Sequence, residues 1–186
     1  SNTSLGTGVD WLGYIQQELE SRLYRGLDAI WWAVHKAGTA GKTTTTSATA
    51  FTFLEWMDFV FSIAAAQRPT SGIVCADTVV KQLLTLVDTS TAGVGRPLID
   101  MNLTIGGLMS VNGLPLKVSA SCEAIASAKV VAAIIDCAQM WVRKSTHRLV
   151  RYVDIPSRPD QVGFNIFANY ALANVSESFK TLVMKT

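Results

Sequence analysis

Between residues 9 and 37 the apolar side chains Leu12, Ile15, Leu19, Leu23, Leu27, Ile30 and Val34 recur at steps of three or four, which places them along one stripe of a helix. At about 1.5 Å per residue such a helix is about 40 Å long, comparable with the width of a whole domain, so the rest of the chain has to be arranged around it. Asp10 is predicted to cap its start and Gly38 to stop it. The other faces carry Gln16, Gln17, Glu18, Glu20, Arg22, Arg25 and Asp28, which predicts a strut covered on one side only.

Shorter pieces follow. Residues 39–50 are almost wholly Gly, Ala, Thr and Ser, with too little apolar area to order themselves, and a flexible connection is expected there. Thr52 and Glu55 form a capping box, and Phe51 and Trp56 have the spacing of a hydrophobic staple, which predicts a helix running to about residue 67, ahead of Pro69. Residues 72–75 predict a strand, and Asp77 is expected to cap a third helix carrying Val79, Val80, Leu83, Leu84 and Val87. Residues 88–95 are a turn-rich loop, and residues 110–113 lead through Leu114-Pro115 into a strand at 116–119. Residues 130–135 are an unbroken apolar run of strand length, which predicts a strand covered on both faces and interrupted at Asp136. Later, Val162, Phe164, Ile166, Ala168, Tyr170 and Leu172 alternate with mostly small or polar residues, the pattern of one long half-buried strand. Together with residues 148–155 it reads as a long hairpin whose tip, Pro156-Ser157-Arg158-Pro159-Asp160, is stiffened by proline. A last strand at 180–184 completes a mixed α/β (α+β) fold.

The chain has 186 residues, 49% of them hydrophobic, enough to bury a core as one domain or as two lobes. Sixteen basic and 14 acidic side chains leave a net charge of +2, without the basic excess that drives strong nucleic-acid binding, so any DNA contact is expected to be weak and local. Cys75, Cys122 and Cys137 form no CxxC pair and each lies in or beside an apolar run, which predicts reduced, mostly buried thiols made in a cytoplasm. Ser1-Asn2-Thr3-Ser4 lacks the basic and apolar regions of an export signal and no apolar run reaches about 18 residues, so no membrane partner is expected. Gly41-Lys42-Thr43 invites a phosphate-loop reading, but Lys36 stands where that loop needs its first glycine, and a helix precedes it where a strand is required. His35 and His147 have no Cys, His or carboxylate at ligand spacing, and no Gly-x-Ser-x-Gly turn occurs. Neither a cofactor, a metal nor a catalytic centre is expected.

The order of elements, together with three stretches, resembles the major capsid proteins of tailed phages and prophages. The first stretch contains Gly95-Arg96-Pro97-Leu98, and the second is Asn112-Gly113-Leu114-Pro115-Leu116-Lys117-Val118-Ser119. The third runs from Asp136 through the basic strand at 148–151 and Gln161-Val162-Gly163-Phe164 to Ser178-Phe179-Lys180-Thr181-Leu182. That resemblance implies a capsid fold with a long spine helix and two lobes: a peripheral lobe of residues 1–50 and 138–175, with the spine helix and long hairpin, and an axial lobe of residues 51–137 and 176–186. It implies a structural protein, not an enzyme, that partners with itself in pentamers and hexamers of an icosahedral virion shell enclosing DNA, made in the cytoplasm of a bacterial host. The extended arm and long loop that precede the spine helix in the family have no counterpart here, so the chain is expected to be the body of a longer subunit.

The resemblance also implies where copies meet. Pro156, Arg158, Pro159 and Asp160 form the turn expected to touch its copies where capsomers join, with the prolines reducing the entropy lost on docking. Arg143, Lys144, Arg148 and Arg151 gather near the same hairpin, as a solvated face or as partners for Glu18, Glu20 or Asp28 of a neighbouring copy. Trp32 is expected either to anchor an interface or to pack in the core. Two other functions fit less well: the shell of a bacterial nanocompartment, in the same fold, and a small cytoplasmic α/β enzyme.

Overall fold

All seven residues of the strand Val130–Asp136 are buried. Such a strand needs a partner along each edge and a layer over each face, and the fold supplies them. The computed structural model describes residues 10–36, 41–86, 99–101, 109–146, 148–152, 162–174 and 178–186. In chain order its elements are α1 (Trp11–Lys36), β1 (Lys42–Thr44), α2 (Phe53–Phe61), β2 (Ser71–Cys75), α3 (Asp77–Thr85), β3 (Ile99–Met101), β4 (Met109–Val111), β5 (Leu114–Val118), β6 (Val130–Asp136), β7 (Met140–Lys144), β8 (Arg148–Tyr152), β9 (Gly163–Phe167), β10 (Tyr170–Asn174) and β11 (Phe179–Val183).

Seven strands make one mixed sheet in the order β1-β11-β6-β2-β5-β4-β3, and two pairs, β7 with β10 and β8 with β9, stand apart from it. β6 runs antiparallel to both of its neighbours, with Ile134 opposite Lys180 on β11 and Ile73 on β2. β6 ends at Asp136, whose carboxylate accepts from the Thr70 hydroxyl at 2.6 Å and from the Ala138 N–H at 3.0 Å, so this buried acid is satisfied where the chain turns away.

The described residues fall into two compact units, one drawn from Ser1–Ile30 and Val142–Leu172, the other from Trp31–Trp141 and Ala173–Thr186. The second unit holds the sheet, α2 and α3, around Trp32, Trp56, Phe59, Ile63, Leu83, Ile134 and Leu182. α2 begins as its sequence predicts: the Thr52 hydroxyl accepts from the Glu55 N–H at 3.3 Å, the Glu55 carboxylate accepts from the Thr52 N–H at 2.7 Å, and the Phe51 and Trp56 rings stack at 5.4 Å. It stops at Phe61, short of the expected residue 67. There the Ser62 hydroxyl and N–H both donate to the Phe59 carbonyl, and the Arg68 guanidinium lies 4.4 Å over the Phe61 ring.

Three further expectations are corrected, and the cysteines are mostly buried as expected. Residues 41–50 are not a flexible connection: β1 pairs parallel with β11, and the buried Thr45 hydroxyl donates to the Ser47 carbonyl and accepts from the Lys185 N–H. Backbone pairing and side-chain bonds order a segment that hydrophobicity does not. Asp77 is not the cap of α3 but its first residue, where its charge favours the positive end of the helix and it pairs with Lys81 at 3.2 Å. Cys75 and Cys122 are buried, whereas Cys137 is exposed in the short turn after β6. Burial, and behind it the Asp77 charge, pushes the Cys75 thiol up to about 12. Residues 162–172 are not one strand: β9 and β10 are separated at Ala168-Asn169 and pair with different partners. Asn169 makes that break, donating its N–H to the Ser145 hydroxyl at 2.9 Å and accepting from the Ser145 N–H at 2.8 Å.

The end of α1 is fixed within the second unit. Glu123 accepts from Lys36 at 3.2 Å, from Lys129 at 3.3 Å and from the Val130 N–H at 3.1 Å, tying the helix to the first residue of β6. Burial opposes ionisation of Glu123, but the Val130 N–H and the two lysines outweigh it and hold the carboxyl below its ordinary range. A depressed folded-state value means that this contribution is present above the ordinary value of 4.5 and is lost as pH falls through the lower folded one. Chemical denaturation across pH 3 to 7, a window of about four units around that ordinary carboxylate value, is expected to show stability dropping at the acid end, and Glu123→Gln to flatten that part of the profile. In the sheet, Ile134→Ala is expected to cost about 2–5 kcal/mol in the same assay, against a near-neutral Leu12→Ala at the exposed start of α1.

Candidate self-association surface

The first unit holds α1 as far as Ile30, the pair β8/β9, and the parts of β7 and β10 that lie within Val142–Leu172. Asp10 caps the helix as expected, accepting from the Gly13 N–H at 3.0 Å. Ile15, Leu19, Leu23 and Leu27 are half-buried, but Leu12 and Ile30, both on the predicted stripe, are 58% and 60% exposed. After Leu27 the covered direction passes to Trp31, a step of four, so Ile30 at a step of three is turned outward.

The strand pairs are open as well. In β8/β9 the register sets Arg148 opposite Phe167 and Val150 opposite Asn165 on one face, and Leu149 opposite Ile166 and Arg151 opposite Phe164 on the other. Phe167 is 51% exposed and Leu149 42%, so neither face is closed. The predicted alternation does survive the break in the strand: Phe164, Ile166, Ala168 and Tyr170 are half-buried while Asn165, Phe167, Asn169 and Ala171 are exposed. Val162, predicted to share the covered face, is 44% exposed. On β7, Val142 is 55% exposed. Among the described residues, no side chain of the first unit is buried, and every buried one belongs to the second.

Its charges are segregated. On α1, Glu18 takes Arg22 at 2.8 Å and Arg25 at 3.6 Å, and the Arg22 guanidinium holds the Glu18 carboxyl below the usual range. Glu20 accepts from Gln16, and Asp28 has a partner of its own. Arg143, Lys144, Arg148 and Arg151 are exposed, and none forms an ion pair with a described residue.

Of the residues predicted to form the interface, Arg148 and Arg151 lie on the two faces of β8. Pro156, Arg158, Pro159 and Asp160 lie outside the described residues. Trp32 packs in the core of the second unit at 3% exposure, with Trp31 against the Phe179 ring at 5.9 Å. The sequence reading missed β7 because Met140-Trp141-Val142-Arg143-Lys144 has no alternation to reveal it, and the structure shows why: from Trp141 on, both of its faces are exposed.

The chain aligns with the capsid of an empty GTA (gene transfer agent) particle computed with C5 symmetry, at TM-score 0.57 and 14% identity over 78% of this chain and 50% of that one. It aligns likewise with the capsid of the native GTA particle computed with C5 symmetry, at TM-score 0.53 and 15% identity over the same shares of the two chains. The fold is capsid-like. This chain spans half the length of each of those capsid chains. No family model and no curated protein matches it. Among the described residues, no group of three or more His, Cys, Asp or Glu could hold a metal ion, and no helix is long and apolar enough to cross a membrane.

Proposed function

We propose that this chain is the shell-building body of a phage-like major capsid subunit. In this reading α1 is the spine helix, the first unit is the peripheral lobe and the second unit is the axial lobe. Copies associate into pentamers and hexamers of an icosahedral shell that encloses DNA, and the chain is made in the cytoplasm of a bacterial host. The observation that carries the proposal is the distribution of burial: the first unit exposes Leu12, Tyr14, Tyr24, Ile30, Val142, Leu149, Val162 and Phe167 and buries no described side chain. A helix with two-stranded ribbons is marginal in water without an apolar face to close it. In a tiled shell, neighbouring copies supply that cover. The capsid-like fold supports the same reading.

The peripheral-lobe hairpin is the proposed contact, through Leu149 and Phe167 on its two faces, Arg148 and Arg151 beside them, and the turn carrying Pro156, Arg158, Pro159 and Asp160. Trp32, held in the core, is assigned to stability of the subunit. Sedimentation velocity over a concentration series is expected to show reversible self-association of this chain. Phe167→Asp and Arg158→Glu should each weaken it by about tenfold or more with unchanged circular dichroism. A chain that stays monomeric at high micromolar concentration, or variants that associate like the parent, would count against the proposal.

A further inference from the structure

Arg143, Lys144, Arg148 and Arg151 form no ion pair with a described residue, and the acids of α1 have other partners. Glu18 is spent on Arg22 and Arg25 of its own helix, Glu20 is bonded to Gln16, Asp28 has its own partner and Asp10 caps Gly13. A neighbouring copy presents the same engaged helix, so the expected pairing of these cations with the α1 carboxylates of a neighbour has little free charge to use. At the β7/β10 end a shallow concavity is lined by Arg143, Lys144, Ser145, Asn169, Tyr170 and Ala171. Its polar side chains are a guanidinium, an ammonium, a hydroxyl, an amide and a phenol, with no carboxylate among them.

We propose that the concavity at Arg143, Lys144, Asn169 and Tyr170 binds the phosphate backbone of duplex DNA. Donor-rich, base-independent lining of this kind holds phosphates without reading sequence. The proposal rests on the shell reading for the source of the DNA, while the site itself rests on unpaired charge. It also locates the weak, local contact expected from a net charge of only +2.

Fluorescence anisotropy with a labelled mixed-sequence duplex, titrated at several salt concentrations, tests it, with sedimentation velocity on the same samples. The parent chain should bind, with affinity falling as salt rises. Arg143→Gln with Lys144→Gln should weaken binding by about tenfold and reduce the log–log salt slope by about two, one for each phosphate that is no longer neutralised. Lys117→Gln with Lys185→Gln, the same loss of charge in the second unit, should change neither by more than about twofold. Equal losses in the two pairs, or no binding by the parent, would overturn the site. So would polyglutamate binding as tightly as DNA with the same dependence on Arg143 and Lys144, which marks a surface for an acidic protein segment. Inorganic phosphate that displaces DNA well beyond chloride at equal ionic strength marks a single-oxyanion pocket and also counts against it. Loss of DNA binding with self-association intact sinks this inference alone, and the reverse outcome sinks the shell reading alone.

Discussion

The pairing of β6 with β11 on one edge and β2 on the other is the constraint from which the second unit follows. A strand whose seven residues are all buried leaves no exposed edge or face, and each of its neighbours brings a different part of the chain into place. β11 carries β1 beside it and sets Phe179 against Trp31, so the C-terminal strand and the end of α1 meet there. β2 leads into α3 and pairs in parallel with β5, which brings in the hairpin that continues to β4 and β3. Glu123, bonded to the first amide of β6 and to Lys36, closes the circuit by fixing the helix to the strand it accompanies. Disturbing β6 therefore disturbs four regions of the chain at once.

Elements whose local chemistry and tertiary setting agree are those legible in the sequence. The run at 130–135, the box at Thr52 and Glu55, and the alternation after residue 162 each need no distant partner to be recognised. What escaped depends on partners far along the chain. β1 exists because residues 181–183 offer it an edge, and no composition of Lys, Thr and Gly reveals that. The break at Ala168-Asn169 exists because Ser145, 24 residues earlier, takes both backbone groups of Asn169. Asn112 and Gly113 are the opposite case, a missed strand whose signal was present. Both adopt left-handed backbone angles, φ 52° and 77°, the turn that joins adjacent antiparallel strands, so β4 was readable from that dipeptide. At the candidate surface, Arg148 and Arg151 were legible as a basic strand. The engagement of the α1 acids was not, because it depends on which rotamers the helix selects.

The two units differ in how far their apolar side chains are covered. Apolar side chains close on one another in the second, where they hold the chain together, and remain open in the first, where the cations of β7 and β8 form no ion pair with a described residue. Trp32 marks the transition: although α1 is a single helix, Ile30 is exposed and Trp32, two residues on, is buried. A single periodic pattern read from sequence cannot distinguish a stripe covered by its own chain from one left for another molecule. That distinction emerges only when the amount of covering structure is known.

The reciprocal bonds between Ser145 and Asn169 have one more consequence. They fasten together, as a closed neck, the two chain segments from which the β8/β9 hairpin departs. Lengthening or shortening the tip would leave the register of β7 against β10 untouched, because the change is absorbed on the far side of the knot. The neck thus makes the hairpin a replaceable part. A change of length between β8 and β9 is expected to leave the β7/β10 pairing in place, so that reach and contact chemistry can vary there while the seven-stranded sheet stays the same.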